Sequence, residues 1–477
     1  MSMNLLYVTS ECAPFSKSGG LADVMGDLPR AMVKKSAVKS AVVITPGYRK
    51  TMARFGSRMV HQYDMKLDAP YDQLWAHLYR LVQDGVEYFL LDIPGLFDRD
   101  DLYGYGDDTY RFAAFSNAVV RFIIDQCQAG RRFDIVHCND WQTGFVPLLV
   151  KRVYWNMRCI LTIHNPAYQG WLAPDQFWNT FHLPFDLYTS GNVRLGESVN
   201  FLKTGIFYAD AVNTVSAHHA QELISDGNCF GGIGWALRAK GDLFVGITNG
   251  LSDCEYSPMR DMNIPLPYSY RVRQEGKSAA REAAMRSFSL TDRPGTPLFV
   301  AISRLTAQKG LDRLWALGDL LRKCGGRLMI LGSGDYDSEG NIYRLQSAYP
   351  ENVSFWRGYD NGLAHLLYAA GDFFVMPSRF EPCGLSQLIA MRYGTVPIVS
   401  DAGGLCDTVL DASQPHGRGF VFGNWSDREG LQHAVSRALL AFQDPRAMAA
   451  LQFEDMYYDS SWTQAAQEYL KLYQRLM

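Results

Sequence analysis

The sequence predicts an α/β protein with two Rossmann-like domains, each a doubly wound parallel sheet, that face each other across a deep cleft. Short apolar runs alternate with helical patterns along the chain, which is typical of βαβ units. The length of 477 residues exceeds what one hydrophobic core usually organises. A small-residue loop that opens a helix also occurs twice, as KSGGLADV at 17–24 and AGGLCDTV at 402–409.

The expected strands fall into two series. In the first half they are 4–9, 41–45, 87–91, 135–138, 159–163, 211–215 and 243–247; in the second they are 298–302, 327–331, 353–356, 373–376 and 397–399. Helical patterns follow most of them, and 271–287 also has helical character. A polar stretch after Gly250 predicts one domain at 1–250 and another at 251–460. The amphipathic segment 461–477 either ends the second domain or crosses back onto the first.

Composition excludes several classes of function. The net charge of −3 gives no electrostatic reason to expect nucleic acid or an anionic membrane as a partner. No apolar run approaches the roughly 18 residues that span a bilayer. Nine scattered cysteines predict neither a disulfide framework nor a zinc site, and no secretory signal is evident. We therefore expect a cytoplasmic protein.

The two glycine loops predict contact with an anionic ligand. Paired glycines, Gly19-Gly20 in the first loop and Gly403-Gly404 in the second, let the backbone approach a ligand closely. The helix that starts behind each pair offers N–H groups and a positive dipole end. Two such loops, far apart in the chain, indicate two domains around one ligand.

Further polar side chains follow predicted strands, where open α/β sheets bind ligands. They are Lys17, Asp140, His164, Arg304, Lys309 and Glu381. Two cations fit the neutralisation of a departing diphosphate, a carboxylate fits a reacting sugar, and a neutral histidine fits donation to a sugar hydroxyl.

Each assignment has a structural alternative. Arg304 pairs with a nearby carboxylate and Lys309 sits on an exposed helix start, or both bind phosphate. Glu381 is a helix-start residue, and Asp140 and His164 are satisfied structural groups, or all three contact sugar. The acidic loop 98–108 is a solvated segment, or its Tyr103 and Tyr105 stack on sugars of an acceptor.

The longer motifs resemble the bacterial glycogen synthases and plant starch synthases, glycosyltransferase family 5. These motifs are KSGGLADV, HCNDWQTG, TIHNPAYQG, SRLTAQKG, PSRFEPCGLSQL and GTVPIV with GGLCDTV, in the family's order between residues 17 and 409. The resemblance implies the GT-B architecture, with segment 461–477 joined to the first domain. It implies retaining transfer of glucose from ADP-glucose to the non-reducing end of an α-1,4-glucan such as glycogen, without a metal or organic cofactor.

The resemblance also assigns roles by motif position. The catalytic set is Glu381, His164, Asp140, Arg304 and Lys309; the donor-binding set is Lys17, Gly19, Gly20, Asp23, Asn249, Gly384, Leu385, Gly403 and Gly404. Asn139, Ser252 and Ala402 depart from the commonest pattern of the family, which leaves donor preference open. The alternatives are a UDP-glucose transferase of the same architecture, a phosphorylase that needs pyridoxal phosphate, and a glucan-binding scaffold without catalysis.

Overall fold

A computed structural model describes residues 2–423 and 427–477 of the chain. Their contacts divide into two compact units. Unit 1 comprises the chain up to Gly250 together with Trp462–Met477, and unit 2 comprises Leu251–Ser461. The roles expected for the two domains stay predictions. Within the described ranges, no helix is both long enough and apolar enough to cross a membrane.

Unit 1 contains a mixed nine-stranded sheet. Its strands and those of a small second sheet are β1 (Met3–Val8), β2 (Val38–Pro46), β3 (Val60–Lys66), β4 (Trp75–Gln83), β5 (Val86–Asp92), β6 (Ile135–Asn139), β7 (Arg158–Ile163), β8 (Trp171–Leu172), β9 (Arg194–Leu195), β10 (Ser198–Asn200), β11 (Ala211–Thr214) and β12 (Phe244–Gly246). The main sheet runs β12-β11-β7-β6-β1-β2-β5-β4-β3, and β8-β10-β9 form the small antiparallel sheet.

Among its described residues, unit 1 has nine α-helices before Gly250, and several of them cover the two faces of the main sheet. They are α1 (Gly20–Met32), α2 (Arg49–Phe55), α3 (Asp108–Gln128), α4 (Val146–Val153), α5 (Phe177–Phe181), α6 (Asp186–Thr189), α7 (Phe201–Tyr208), α8 (Ala217–Ser225) and α9 (Cys229–Arg238). Alternate residues of β1 enter different cores: Leu6 and Val8 lie in one, and Leu5 and Tyr7 in the other. Burial on both faces is why the central strands are continuous apolar runs.

The edge of this sheet differs from the prediction. Strand β3 pairs with β4, and β4 with β5, in antiparallel orientation, whereas the sequence predicted parallel strands only. Strand β3 reads VHQYDMK and is mostly exposed, so it carries none of the apolar pattern on which the other strands were recognised. Strand β4 was also not predicted, and neither were β8, β9 and β10, which have only two or three residues each.

Unit 2 contains one fully parallel sheet. Its strands are β13 (Leu298–Ile302), β14 (Arg327–Gly332), β15 (Val353–Arg357), β16 (Phe373–Met376), β17 (Val396–Ser400) and β18 (Phe420–Phe422), in the order β15-β14-β13-β16-β17-β18. Its helices are α10 (Arg273–Ser287), α11 (Gly318–Cys324), α12 (Tyr336–Ala348), α13 (Asn361–Ala370), α14 (Ser386–Arg392), α15 (Gly404–Thr408), α16 (Asp427–Phe442) and α17 (Pro445–Met456). The five strands expected here are present, and β18 is additional.

The last helix, α18 (Trp462–Gln474), belongs to unit 1. Its Tyr473 hydroxyl lies 2.7 Å from Nδ1 of the buried His137 on β6 and donates to the hydroxyl of Tyr7 on β1. The Tyr469 hydroxyl accepts from the amide of Asn213 on β11. This buried polar network, together with the apolar face of the helix, holds α18 on the sheet.

Both sheets contain the strand order of a doubly wound fold. From the first strand of each unit the chain moves outward to one side, then returns and continues on the other side. This reversal lies between β1 and β6 in unit 1 and between β13 and β16 in unit 2. Ligands of open α/β sheets bind at the carboxyl ends of the strands beside such a switch point.

Candidate active site

The glycine loop of unit 1 is fastened by a carboxylate that the sequence did not indicate. Glu11 follows β1 and is 4% exposed. Its carboxylate accepts hydrogen bonds from the backbone N–H groups of Ser18 and Gly19 and from the Ser18 and Tyr103 hydroxyls. Burial raises the pKa of the Glu11 carboxyl, while these hydrogen bonds oppose the shift. The detectable signal was its position directly after the first strand.

Lys17 and Asp23, both expected to contact a donor, contact each other. The ammonium group lies 2.6 Å from the Asp23 carboxylate, and the Lys17 side chain is 37% exposed. Gly19, which precedes α1, has extended backbone and open space around its α-carbon, and Gly20 is the first residue of the helix. This part of the loop keeps an accessible backbone surface.

The two tyrosines of the acidic loop have structural partners. The Tyr103 hydroxyl bonds to Glu11 and lies 2.8 Å from the Ser10 hydroxyl. The Tyr105 ring lies under the guanidinium groups of Arg99 and Arg111, at 4.8 and 5.2 Å. These contacts favour the structural alternative over sugar stacking. Their acceptor role stays a prediction.

Asp140 lies at the carboxyl end of β6, beside the switch point. Its φ of 57° is in the left-handed region, which is strained for a residue other than glycine. One carboxylate oxygen accepts from the backbone N–H groups of His164, at 2.7 Å, and Asn165, at 3.3 Å. Burial raises the pKa of this carboxyl to about 7. The strain and the raised pKa are typical of a functional position.

His164 follows β7 and is held next to Asp140 by that backbone hydrogen bond. Burial lowers the pKa of its imidazole to about 3, so the ring is neutral at physiological pH. Its Nε2 lies 2.9 Å from Oδ1 of Asn139, whose amide nitrogen donates to the Val8 carbonyl. Nε2 therefore carries the proton and Nδ1 accepts. This arrangement favours acceptance from a sugar hydroxyl, whereas the sequence suggested donation to one.

Asn249 is the last polar residue before the end of the main segment of unit 1. Its side chain is 7% exposed, and Oδ1 is buried without a hydrogen-bond partner among the described residues. A buried amide oxygen without a partner costs free energy unless a ligand supplies a donor. The expected donor contact of Asn249 stays a prediction.

In unit 2 the switch point brings together Lys309 and Glu381. The Lys309 ammonium lies 2.6 Å from Oε2 of Glu381, which also accepts from the Ser378 hydroxyl at 3.1 Å. Glu381 is 5% exposed. The alternative of Lys309 as a cation on an exposed helix start does not account for its ion pair. The alternative of Glu381 as a helix-start residue does not account for its burial and its pairing with Lys309.

Gly310 allows the two loops to meet. Its φ is 62°, and a Cβ built on it would lie 2.1 Å from the carbonyl oxygen of Pro377. The neighbouring Gln308 connects the loops further: its carbonyl accepts from the Arg379 N–H, and its amide donates to the Phe380 carbonyl. This close approach places Lys309 against Glu381.

Arg304 differs from Lys309. It is exposed, and among the residues that the structure describes its guanidinium has no ion-pair partner. The structural alternative, in which Arg304 pairs with a nearby carboxylate, is not seen among the described residues, and its phosphate-binding role stays a prediction. The cation remains available to a ligand at the carboxyl end of β13.

The second glycine loop is built into its surroundings. The Gly404 N–H donates to the Glu381 carbonyl at 2.9 Å, and a Cβ on Gly404 would lie 2.5 Å from Cys383. A phosphate or sugar that bonded to the Gly404 amide would therefore have to displace this hydrogen bond, and the expected donor contact of Gly404 stays a prediction. Gly403 has a φ of 47° and Gly384 has a φ of 74°, so both adopt a left-handed backbone conformation that favours glycine. Leu385 precedes α14.

Comparison with known proteins identifies the family. The family model described as "Starch synthase catalytic domain" matches residues 4–239, and the family model described as "Glycosyl transferases group 1" matches residues 286–449. A glycogen synthase of Clostridium beijerinckii is 37% identical over 487 residues, covering 99% of both chains. A glycogen synthase of Lactococcus lactis is 37% identical over 489 residues, covering 99% of this chain and 100% of the relative.

Solved structures agree. The catalytic domain of starch synthase IV from Arabidopsis thaliana, bound to ADP and acarbose, matches with a TM-score of 0.89 and 28% identity, covering 100% of this chain and 99% of that one. A sucrose-phosphate synthase from Thermosynechococcus elongatus matches with a TM-score of 0.60 at 18% identity, over 99% of both chains, and shows the fold alone.

Two units with doubly wound sheets, together with the family models matched and the starch synthase structure, define a glycosyltransferase of the GT-B class. The chain belongs to the glycogen synthase and starch synthase family. The resemblance drawn from the motifs, the fold class and the predicted synthase function are thereby confirmed at the level of the family. The roles of individual residues stay predictions.

Proposed function

We propose that the chain transfers glucose from ADP-glucose to the non-reducing end of an α-1,4-glucan, with retention of the anomeric configuration. The observation that carries the proposal is the ion pair at the unit 2 switch point between the partly buried Lys309 and the buried Glu381. The ADP bound in the starch synthase relative supports an adenine nucleotide as donor. The nine cysteines without a disulfide framework fit the reducing cytoplasm as its location.

Lys309 and Arg304 supply positive charge to the donor diphosphate in this proposal. As the bond between glucose C1 and the phosphate oxygen breaks, negative charge grows on the leaving ADP. Lys309 already has a carboxylate partner, so the arriving phosphate shares its ammonium with Glu381. The exposed Arg304 turns toward the phosphate. Both cations stabilise the transition state more than the ground state, because the negative charge on the leaving phosphate grows as the bond breaks.

Glu381 lies close to the transferred glucose and stabilises the positive charge that develops at C1. Asp140 and His164 position the sugar, with Nδ1 of His164 accepting from a hydroxyl. The acceptor 4-hydroxyl attacks C1 from the face that ADP leaves, and its proton passes to the departing phosphate oxygen. One C–O bond breaks, one forms, and ADP takes up the proton. The protein contributes positioning and electrostatics without a metal or organic cofactor.

The experiment measures glucose incorporation into glycogen by the purified protein, with ADP-glucose and UDP-glucose at equal concentration. We expect incorporation from ADP-glucose. Incorporation from UDP-glucose alone would replace the donor, and a visible absorption band of pyridoxal phosphate would support the phosphorylase alternative. Glycogen binding without incorporation from either donor would support the scaffold alternative.

The site assignment needs matched variants. Glu381→Gln and Lys309→Gln should each lower kcat at least about 100-fold, the usual cost of removing one electrostatic group from an active site. Both should retain glycogen binding. Asp312→Asn removes the partner of Arg379, an exposed ion pair on the neighbouring loops, and should leave kcat unchanged. Equal activity of all three variants would contradict the assignment.

A further inference from the structure

A cluster of potential metal ligands lies on the edge hairpin β3–β4 of unit 1. Oδ1 of Asp64 is 2.7 Å from Nε2 of His61 and 2.7 Å from Nδ1 of His77. The three atoms lie within 4.8 Å of one another. None of these residues belongs to the site proposed for glucosyl transfer.

An irregularity of the strand brings the three side chains to one face. His61 and Asp64 are three residues apart, and in a regular strand such residues point to opposite faces. The register between β3 and β4 shifts between His61 and Tyr63, so that His61 lies opposite Tyr79 and Asp64 opposite His77. Since Tyr79 and His77 are two residues apart, their partners share a face. The extra residue of a β-bulge is a recurrent way to aim a side chain.

The ring of His61 is also held in place. It contacts the Tyr79 ring edge-on, with centroids 5.4 Å apart. Asp64 additionally lines a cavity of about 790 Å³ with three further carboxylates, Asp68, Asp72 and Asp125, and two cations, Lys66 and Arg121. Carboxylates outnumber cations there, which favours a cation near Asp64.

We propose that His61, Asp64 and His77 bind a divalent transition-metal ion of the zinc class. Two imidazoles and one carboxylate are ligands that zinc and its neighbours in the first transition row prefer. Zinc–ligand bonds of about 2.1 Å place tetrahedral ligands about 3.4 Å apart. The distance between each nitrogen and Oδ1 must therefore increase by about 0.7 Å, from 2.7 Å to about 3.4 Å, which exposed side chains allow.

The side chains have that freedom, since His61, Asp64 and His77 are 47%, 46% and 33% exposed. Three protein ligands leave a fourth position for water. The ion would clamp the exposed edge strand β3 to β4, because its ligands come from both strands. Binding to the folded state alone should then raise the melting temperature.

Cobalt(II) is the probe, because its visible spectrum distinguishes nitrogen and oxygen ligands from the thiolates of the chain's nine cysteines. Titration of the whole protein should give one tetrahedral site without a thiolate charge-transfer band, and zinc should displace the cobalt. His61→Gln, Asp64→Asn and His77→Gln should each weaken binding at least about tenfold, a loss that even outer partners of metal ligands cause.

His416→Gln is the matched control. His416 and Glu454 form an exposed histidine–carboxylate pair at 3.0 Å in unit 2, outside the proposed cluster, and this variant should bind cobalt as the wild type does. Circular dichroism and transfer activity verify that each variant folds. Zinc should raise the melting temperature of the wild type and the control but not of the three variants.

A thiolate spectrum, equal affinity in all four variants, or no binding at millimolar metal would each overturn the proposal. The last result would leave the cluster as a hydrogen-bonded group only. Because glucosyl transfer uses none of these three residues, either outcome leaves the proposed function unchanged.

Discussion

Gly310→Ala tests whether the close approach of two loops builds the Lys309–Glu381 pair. An alanine at the φ of 62° occupies the left-handed region, at a cost of about 1–2 kcal/mol. Its Cβ would also lie 2.1 Å from the Pro377 oxygen, and relief of such overpacking usually costs about 1–3 kcal/mol. We expect unit 2 to lose about 2–5 kcal/mol of stability.

The matched control is Gly295→Ala. Gly295 has a φ of 75°, and nothing lies within 4 Å of a Cβ built on it. This variant pays the backbone strain and lacks the collision. Differential scanning calorimetry should show a fall of about 4–20 °C in the melting temperature of unit 2 for Gly310→Ala, and a fall of a few degrees for Gly295→Ala.

Activity gives a second measurement of the same variants. Relief of the collision separates the loop of Lys309 from the loop of Glu381. At a temperature where the protein is folded, kcat/KM of Gly310→Ala should therefore fall at least about tenfold, because small displacements of catalytic groups slow the reaction. Gly295→Ala should retain wild-type kcat/KM. Equal losses of stability in the two variants would refute the packing argument, and full activity of Gly310→Ala would refute its link to the pair.

Two further predictions concern unit 1. Burial raises the pKa of Asp140 to about 7, so between about pH 4 and 7 the folded state keeps a proton that the unfolded chain releases. As the pH rises through this window, the free energy of unfolding should fall by up to about 4 kcal/mol. The melting temperature of Asp140→Asn should therefore depend less on pH than that of the wild type. Tyr473→Phe removes the hydroxyl partner of the buried His137 and should destabilise unit 1 by about 1–3 kcal/mol. Calorimetry measures this loss, and Tyr457→Phe, at an exposed tyrosine, is the control. Equal losses of stability in the two variants would contradict the role of the network.

The sequence predicted those features that follow from pattern and topology. Buried strands such as β13 are continuous apolar runs, because side chains on both faces enter a core: Leu298 and Val300 lie in one, and Phe299 and Ala301 in the other. The carboxyl-edge rule likewise located Lys309 and Glu381 at one edge of the sheet, although they are 72 residues apart.

The missed features depend on contacts that no local pattern encodes. Strand β3 is exposed and polar, and the bulge that aligns His61 with Asp64 depends on pairing with β4. The engagement of Glu11 with the glycine loop was also missed, although Glu11 lies after β1, at the carboxyl edge of the sheet. The contact between Tyr473 and His137 joins residues 336 positions apart, which only the docked helix reveals.

The two glycine loops differ in how a glutamate holds them, and this difference bears on catalysis. In unit 1 the Glu11 carboxylate accepts hydrogen bonds from the backbone N–H groups of the loop, so its oxygens already have structural partners. In unit 2 the backbone carbonyl of Glu381 accepts the N–H of Gly404, so the side chain stays available to Lys309. Of these two buried glutamates, Glu381 therefore has the carboxylate that can face an arriving sugar while it shares the Lys309 ammonium with the donor phosphate. This difference supports the proposal that Glu381, rather than Glu11, is the glutamate that stabilises charge in the transfer reaction.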